Sequence, residues 1–326
     1  MKVGVFSFVF QDLLSFDEAL DWIAGVGAEA VEIGSGGYVA ELGESYCKPA
    51  ELLADRSRLR AWKKKVEDRG LEISALSCHG NPLHPDESIA RRHREDFRDT
   101  VRVAAEIGVR RVVTFSGCPG DGEGSRYPNW VTCPWPPDFL RILEWQWQER
   151  VIPYWQEEVA FCREQGVDMI ALEMHPGFVV YNPETLLRLR EAVGPEIGAN
   201  FDPSHLFWQN IDPLAAIRAL GEAIFHVHAK DTRVDPLNTQ VNGVLDTKPY
   251  ADESNRSWIF RTVGYGHPLA FWKDLVSELR LAGYDYVLSM EHEDSLMSLR
   301  EGLEKGVSAL RQIVLTDERG KPWFEA

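Results

Sequence analysis

The stretch "YDYVLSMEHED", residues 284–294, decides the fold because it joins a buried strand to a cluster of charge. Its first half, "YDYVL", is typical of a strand packed inside a protein. Its last four residues are Glu291, His292, Glu293 and Asp294. A buried strand that ends in this much charge indicates a cationic or catalytic group at its end, because isolated buried charge is costly. The question is which other residues meet Glu291 there.

Short apolar runs alternate with long amphipathic runs along the whole chain. The predicted strands cover residues 2–8, 30–34, 71–78, 110–116, 167–173, 196–202, 223–231 and 284–291. The predicted helices cover residues 15–27, 54–70, 86–108, 143–166, 182–194, 212–221, 268–283 and 296–314. Eight strand–helix pairs in order favour an α/β fold, a single (β/α)₈ TIM barrel, although a doubly wound open sheet has the same local pattern.

The same pass along the chain gives the domain organisation. No proline- or serine-rich linker divides the chain, so residues 1–326 are predicted to form one domain. Two connections are unusually long, at 116–142 after the fourth strand and at 232–267 after the seventh. Both follow a strand, and sites in such barrels form on that face.

Composition narrows the class of protein. The 326 residues are 44% hydrophobic, and 35 Lys+Arg against 51 Asp+Glu give a net charge of −16. No basic stripe offers a path for a phosphate backbone, so we expect no nucleic-acid partner. Five scattered cysteines favour a reducing compartment. The N-terminus does not resemble a signal peptide, and no apolar run reaches the ~18 residues of a membrane span, so we expect a cytoplasmic protein without membrane contact.

Four predicted strands, the last four, end in a potential metal ligand. These residues are Glu173, Asp202, His228 and Glu291. Closing the barrel brings the strand ends to one rim, where three carboxylates repel each other unless a cation offsets their charge. An oxygen-rich set without thiolate favours Mn²⁺, Mg²⁺ or Co²⁺, with Zn²⁺ as a further option. The alternative is that each acidic residue only caps the following helix or turn.

The motifs around these four residues, "ALEMHP", "NFDPSH", "HVHAKD" and "SMEHED", resemble those of the xylose isomerase-like TIM-barrel superfamily, in particular its sugar phosphate isomerase/epimerase branch. The resemblance covers about residues 2–314. It implies one divalent metal ion, with Mn²⁺ as the first choice, bound by Glu173, Asp202, His228 and Glu291.

The resemblance also implies an activity. Glu173 and Glu291 would be the catalytic pair of a sugar or keto-sugar isomerase or epimerase, moving a proton next to a carbonyl through a metal-stabilised enediolate. The alternative is a lyase or dehydratase that cleaves a 3-oxo-glycoside or keto-sugar by the same enolisation. A non-catalytic sugar-binding barrel is the third possibility.

The chain departs from the ketose 3-epimerases at two positions. Val179 and Val234 stand where those enzymes carry a second glutamate and an arginine. No glycine-rich phosphate cradle follows the last two strands, so the family label does not imply a phosphorylated substrate. The long loops suggest a carbohydrate larger or more oxidised than a plain hexose.

Several further residues are predicted to bind this carbohydrate. They are His205, His79, His175, Lys230, Asp231, Glu32 and Trp130. For each the alternative is structural: a histidine bound to backbone, an ion pair at the rim, or a tryptophan packed between helices. His226 is predicted to be a core histidine, and neither His292 nor Glu293 is predicted as a ligand. The aromatic loops would suit burial in a homodimer or homotetramer.

Overall fold

Eight parallel strands close into a barrel in the computed structural model, which describes residues 1–41, 43–320 and 324. The described residues form ten strands, of which β8 and β9 lie outside the barrel: β1 (Lys2–Phe6), β2 (Ala30–Gly34), β3 (Glu72–Ser77), β4 (Arg111–Thr114), β5 (Met169–Glu173), β6 (Ile197–Phe201), β7 (Ile224–Ala229), β8 (Asp231–Val234), β9 (Trp258–Arg261) and β10 (Val287–Met290). The barrel order is β1-β10-β7-β6-β5-β4-β3-β2, and β8 pairs with β9 in a separate antiparallel sheet. The predicted α/β barrel is confirmed.

Helices surround the barrel. They are α1 (Phe16–Gly25), α2 (Pro49–Ala54), α3 (Arg56–Glu67), α4 (Glu87–Ile107), α5 (Asp138–Trp145), α6 (Ile152–Gln165), α7 (Pro183–Val193), α8 (Ser204–Phe207), α9 (Pro213–Leu220), α10 (Pro236–Asn242), α11 (Leu269–Leu281) and α12 (Leu299–Ile313). Among the residues that the structure describes, no helix is long and apolar enough to cross a membrane.

Local sequence sets several of the helix ends. Ser15 and Glu18 form a reciprocal capping box that starts α1, so two otherwise unpaired backbone N–H groups are satisfied. Gly108 ends α4 in a left-handed conformation, with φ of 77°, which a side chain would disfavour. Pro153 lies in the first turn of α6, where its missing N–H breaks no helical hydrogen bond. The helix predicted over 143–166 is not one uninterrupted α-helix, because a π-helical turn (Gln146–Val151) separates α5 from α6.

The inside of the barrel differs from the layer outside it. Outside, the strands and helices enclose one continuous apolar core, with Trp155 and Trp272 fully buried in it. Inside, the fully buried side chains include Glu32, His226 and His228, which reach one another across the barrel. Buried charge of this kind needs paired partners, so the barrel axis is where a polar site is built.

The seventh connection contains structure that the sequence pattern did not indicate. We expected one strand over 223–231 and then an irregular loop. Instead β7 ends at Ala229, and the chain starts a hairpin of β8 and β9 around α10. The hairpin lies at the rim that follows the carboxyl ends of the barrel strands, so it can form a wall of a site there.

Candidate metal centre and active site

The four predicted ligands meet at the carboxyl-terminal rim of the barrel. Glu173 ends β5, Asp202 directly follows β6, His228 lies near the end of β7 and Glu291 directly follows β10. The Nδ1 atom of His228 lies 3.2 Å from Glu173 Oε2 and 3.0 Å from Glu291 Oε2. Single ligand atoms of Glu173, Asp202 and His228 all lie within 4.8 Å of one another, a spacing that can hold one metal ion.

Three of these ligand atoms lack a hydrogen bond. They are Asp202 Oδ2, His228 Nδ1 and Glu291 Oε2, all buried and without an aligned partner among the described residues. Other polar groups do lie nearby, since Asp202 Oδ2 is 3.2 Å from His205 Nε2 and 3.1 Å from Lys230 Nζ, but the angles do not make a hydrogen bond. Buried polar atoms are normally satisfied, so three converging exceptions need an explanation. A divalent cation fits their oxygen and nitrogen donors.

Lys230 brings a positive charge to the same place. Its ammonium lies 3.1 Å from Asp202 Oδ2, 2.8 Å from Glu291 Oε2 and 2.7 Å from Glu293 Oε2, and the side chain is 2% exposed. Burial alone would lower the pKa of Lys230, but the surrounding carboxylates outweigh it and hold that pKa well above its usual value. Burial likewise opposes the charge of Glu291, and Lys230 with His228 overcomes it, so the pKa of Glu291 falls below its usual range.

Glu32 lies beneath His228 instead of facing the substrate. Its carboxylate is fully buried, 2.9 and 3.0 Å from His228 Nε2, and accepts from the hydroxyls of Ser77 and Ser289. Burial would raise the pKa of Glu32, but His228 and His226 lower it to about 2. Glu32 does not line the pocket beside the four predicted ligands, and substrate binding by Glu32 stays a prediction that this placement does not favour. Since a carboxylate only accepts, Nε2 of His228 carries the proton, and Nδ1 points to the other ligands.

Three side chains hold the carboxylate of Glu173. His79 Nε2 lies 3.1 Å from Oε2, His205 Nε2 lies 3.1 Å from Oε1, and the Asn200 amide donates to Oε2 at 3.1 Å. Burial raises the pKa of Glu173, but these histidines outweigh it and keep that pKa well below its usual value. Sequence reasoning did not single out Asn200. The available signal was an amide within the otherwise apolar strand "IGANF".

His175 and His205 pack together at the rim. Their ring centroids are 4.1 Å apart, and His175 Nδ1 lies 2.6 Å from the carbonyl oxygen of Pro176. Burial, with the neighbouring His205, lowers the pKa of His175 to about 3, so His175 is neutral at physiological pH. His205 contacts the predicted metal ligand Glu173, and His175 packs on His205. Carbohydrate binding by these two histidines stays a prediction.

Asp231 anchors a loop and does not reach the site. Its carboxylate accepts from the backbone N–H groups of Gly264, Gly266 and His267 and from the indole of Trp272. The three backbone partners lie on the return path from the hairpin to α11, and Trp272 lies in α11. These contacts occupy the acceptor oxygens of Asp231, so they do not favour the predicted contact with substrate, which stays a prediction.

Trp130 lies in a different pocket. It packs edge-on against Tyr181, with ring centroids 5.4 Å apart, in a cavity of about 170 Å³ between the fourth connection and α7. None of the four predicted metal ligands lines that cavity. This placement favours the packing role that was the alternative for Trp130, and a substrate contact stays a prediction.

A pocket of about 180 Å³, here called the inner pocket, opens onto the ligand cluster. Its walls are Phe6, Phe8, Tyr38, Val39, His79, Phe115, Glu173, His175, Lys230, Glu291 and Glu293. The walls combine carboxylates, histidines and Lys230 with aromatic and aliphatic side chains. Glu293 is a wall residue that sequence reasoning set aside, because consecutive loop residues give no indication of which one turns inward.

The fold is a closed parallel barrel whose rim brings together residues that could hold a metal ion, and comparison with known proteins gives its family. Residues 20–313 match the family model described as xylose isomerase-like TIM barrel, and the chain belongs to that family. The uncharacterized protein YfiH of Bacillus subtilis is 40% identical over 303 residues, which are 92% of this chain and 96% of that protein. An inosose dehydratase of Geobacillus kaustophilus is 24% identical over 210 residues, 64% of each chain.

Solved structures share the fold at lower identity. A D-tagatose 3-epimerase-like protein superposes with a TM-score of 0.64 and 21% identity, covering 96% of this chain and 97% of its own. An IOLI protein with a bound zinc atom also gives a TM-score of 0.64, with 18% identity, covering 96% of this chain and 98% of its own. At these identities the likeness establishes the fold alone.

Proposed function

We propose that this protein is a divalent-metal-dependent isomerase or epimerase of a sugar or keto-sugar. The observation that carries the proposal is the convergence of Asp202 Oδ2, His228 Nδ1 and Glu291 Oε2, three buried atoms without hydrogen bonds. With Glu173 they make a set of three carboxylates and one imidazole, which suits Mn²⁺ first and Mg²⁺, Co²⁺ or Zn²⁺ next.

The bound ion would supply a Lewis acid that stabilises negative charge on the substrate's carbonyl and neighbouring oxygens. Glu173 and Glu291 are the groups that then transfer protons to and from the substrate carbon. One glutamate removes the hydrogen from the carbon next to the carbonyl, and the electron pair moves onto the carbonyl oxygen. The same glutamate, now protonated, returns the proton to the adjacent carbon in an isomerase, while a hydroxyl proton moves between the two oxygens. In an epimerase the first glutamate releases its proton to solvent, and the other takes a proton from solvent and delivers it to the opposite face of the first carbon. The low pKa of each carboxyl keeps both ionised before substrate binds.

The charges around the inner pocket favour a neutral substrate. Lys230 is already within 3.1 Å of three carboxylates, and the whole chain carries a net charge of −16. A phosphate group placed here would meet more negative than positive side chains. A neutral carbohydrate avoids this repulsion, and its hydroxyls can bind His79 and His175 on the pocket wall.

A lyase or dehydratase is the second candidate, and the similarity to an inosose dehydratase favours it. The first step is the same removal of a proton next to a carbonyl. If the next carbon carries a hydroxyl or a glycosidic oxygen, the electron pair can expel that group and form a carbon–carbon double bond. A protonated glutamate would then supply the proton that the leaving oxygen needs.

Metal content and hydrogen exchange together test the proposal. The purified protein, reloaded with Mn²⁺, would be incubated in D₂O with ketoses and 3-oxo-glucosides, and NMR would follow deuterium next to the carbonyl. We expect exchange in the wild type and its loss in Glu291→Gln and Glu173→Gln. Glu222→Gln is the matched control, since that side chain is 92% exposed and lies away from the rim.

The products separate the two candidates. Sugar isomers indicate an isomerase or epimerase, whereas an unsaturated product with a released group indicates a lyase. Protein that binds no divalent metal at any tested concentration would contradict the four-ligand site. Metal binding without exchange on the whole panel would contradict enolisation of these sugars and leave a binding barrel.

A further inference from the structure

A second pocket, here called the outer pocket, adjoins the inner pocket and is larger. Its volume is about 460 Å³, against about 180 Å³ for the inner pocket. Its walls are His175, Tyr250, Ile259, Phe260, Glu293 and Ser295. His175 and Glu293 line both pockets, so a ligand in the inner pocket can extend past these two side chains into the outer one.

The aromatic wall of the outer pocket is packed against buried tryptophan rings. The rings of Tyr250 and Phe260 are 5.8 Å apart with 23° between their planes, and Tyr250 remains 58% exposed. Phe260 packs on Trp258 at 5.2 Å, and Trp258 stacks on Trp208 at 4.7 Å with only 4° between the planes. The three inner rings are buried, so the wall is held in one orientation while Tyr250 is accessible to a ligand.

The aromatic wall of the outer pocket is in contact with residues around the four predicted metal ligands. The Phe260 ring lies 5.5 Å from the ring of His205, edge to face, and 4.7 Å from the ammonium of Lys230. His205 contacts Glu173, and Lys230 contacts Glu291. The hairpin of β8 and β9 therefore extends the reacting end of the site by an aromatic surface, with no gap between the two.

We infer that the outer pocket is a subsite for a second, uncharged sugar ring of the substrate. This inference rests on the proposed function, in which the reacting sugar occupies the inner pocket. The inner pocket alone falls below the roughly 300–1,000 Å³ of small-molecule sites, and the outer pocket supplies the missing volume. The C–H face of a pyranose is apolar and matches the electron-rich face of an aromatic ring.

The polar walls agree with a neutral ring. Glu293 and Ser295 can bind hydroxyl groups at its edge, and Glu293 disfavours an anionic substituent. The substrate class is therefore a disaccharide or glycoside, in which one ring reacts and the other sets affinity. Tyr250 is a binding residue in this scheme and takes no part in proton transfer.

Binding of sugars that cannot enolise tests the subsite separately from the chemistry. Calorimetry on the Mn²⁺-loaded full chain would compare methyl β-glucoside with cellobiose, maltose and sucrose. We expect at least one disaccharide to bind about 3- to 10-fold tighter than the monosaccharide, the range of one added ring contact. Tyr250→Ala should abolish that advantage. Tyr127→Ala, an equally drastic change at a side chain that is 73% exposed in the fourth connection, should keep it.

Each result supports or overturns the inference. Disaccharides that bind no tighter than methyl β-glucoside, or an advantage that survives Tyr250→Ala, would overturn the subsite. A loss of monosaccharide binding in Tyr250→Ala would also overturn it, since Tyr250 would then act on the inner pocket. Disaccharide binding that depends on Tyr250, in a protein without hydrogen exchange, would keep the subsite and refute the enolising function.

Discussion

Glu32→Gln is the most informative single change, because it alters the hydrogen-bond partner of the proposed metal ligand His228 and leaves His228 itself unchanged. The side chain keeps its shape and one acceptor oxygen, but it loses the negative charge that faces His228 Nε2 at 2.9 and 3.0 Å. A hydrogen bond to a charged group contributes about 1.5–3 kcal/mol, and a neutral one about 0.5–1.5 kcal/mol. The loss is therefore about 1–2 kcal/mol.

That loss should appear in metal affinity, since Glu32 makes Nδ1 of His228 a better ligand and fixes its direction. An energy of 1–2 kcal/mol corresponds to roughly a 5- to 30-fold weaker Kd, within the range known for residues that orient metal-bound histidines. Calorimetric titration of Mn²⁺ into metal-free protein would measure the change. The absorption spectrum of bound Co²⁺ would report on ligand geometry.

Glu158→Gln is the matched control. Glu158 is also fully buried and charged, but it pairs with Arg98 between α4 and α6, away from the rim. Its substitution should leave metal affinity within about twofold of the wild type. If Glu32→Gln binds Mn²⁺ as tightly as the wild type with an unchanged Co²⁺ spectrum, or if both variants lose affinity equally, our reasoning about His228 is refuted.

Three further predictions follow from the same contacts. Metal affinity should rise with pH by up to about tenfold per unit. Glu32 and Glu291 outweigh burial and raise the pKa of His228, so the metal must displace a proton from that imidazole. A metal affinity that calorimetry finds unchanged from roughly pH 6 to 8 would contradict this. Arg98→Met should cost about 2–3 kcal/mol of unfolding free energy at neutral pH by leaving Glu158 unpaired. Burial raises the pKa of that carboxyl, so the cost should shrink as the pH falls and Glu158 is protonated; urea unfolding beside exposed Arg102→Met would measure both. Asp231→Ala should remove the hydrogen-bond acceptor of the backbone N–H groups of Gly264, Gly266 and His267 and speed their hydrogen exchange more than tenfold. Unchanged exchange rates would show that the loop does not depend on the Asp231 carboxylate.

The barrel and the meeting of its four ligands could be predicted from the chain because both depend on local pattern. Each strand is a short apolar run, and each ligand residue ends one of them, so closing the barrel is enough to bring them together. Glu173, Asp202, His228 and Glu291 need no knowledge of side-chain direction beyond that. The helix caps, such as Ser15, are equally local.

The positions of several predicted substrate-binding residues depend on long-range contacts, which the local sequence pattern does not show. Glu32 lies in the middle of β2, and its position on the barrel axis depends on His228, 196 residues away. Asp231 follows "HVHAK" directly, yet the start of a hairpin turns it toward the seventh connection. Trp130 and Glu293 lie in irregular segments, where neither periodicity nor spacing determines which residue turns inward.

The contact of Glu32 with both His228 and Ser289 has a consequence for how the protein is made. Ser289 lies 257 residues after Glu32, on β10, which follows the other barrel strands along the chain. A nascent chain therefore holds an incomplete centre until β10 inserts between β1 and β7. If the centre binds an ion as proposed, the binding free energy adds to the stability of the closed barrel. Retention of the ion would then report that β10 has joined the barrel.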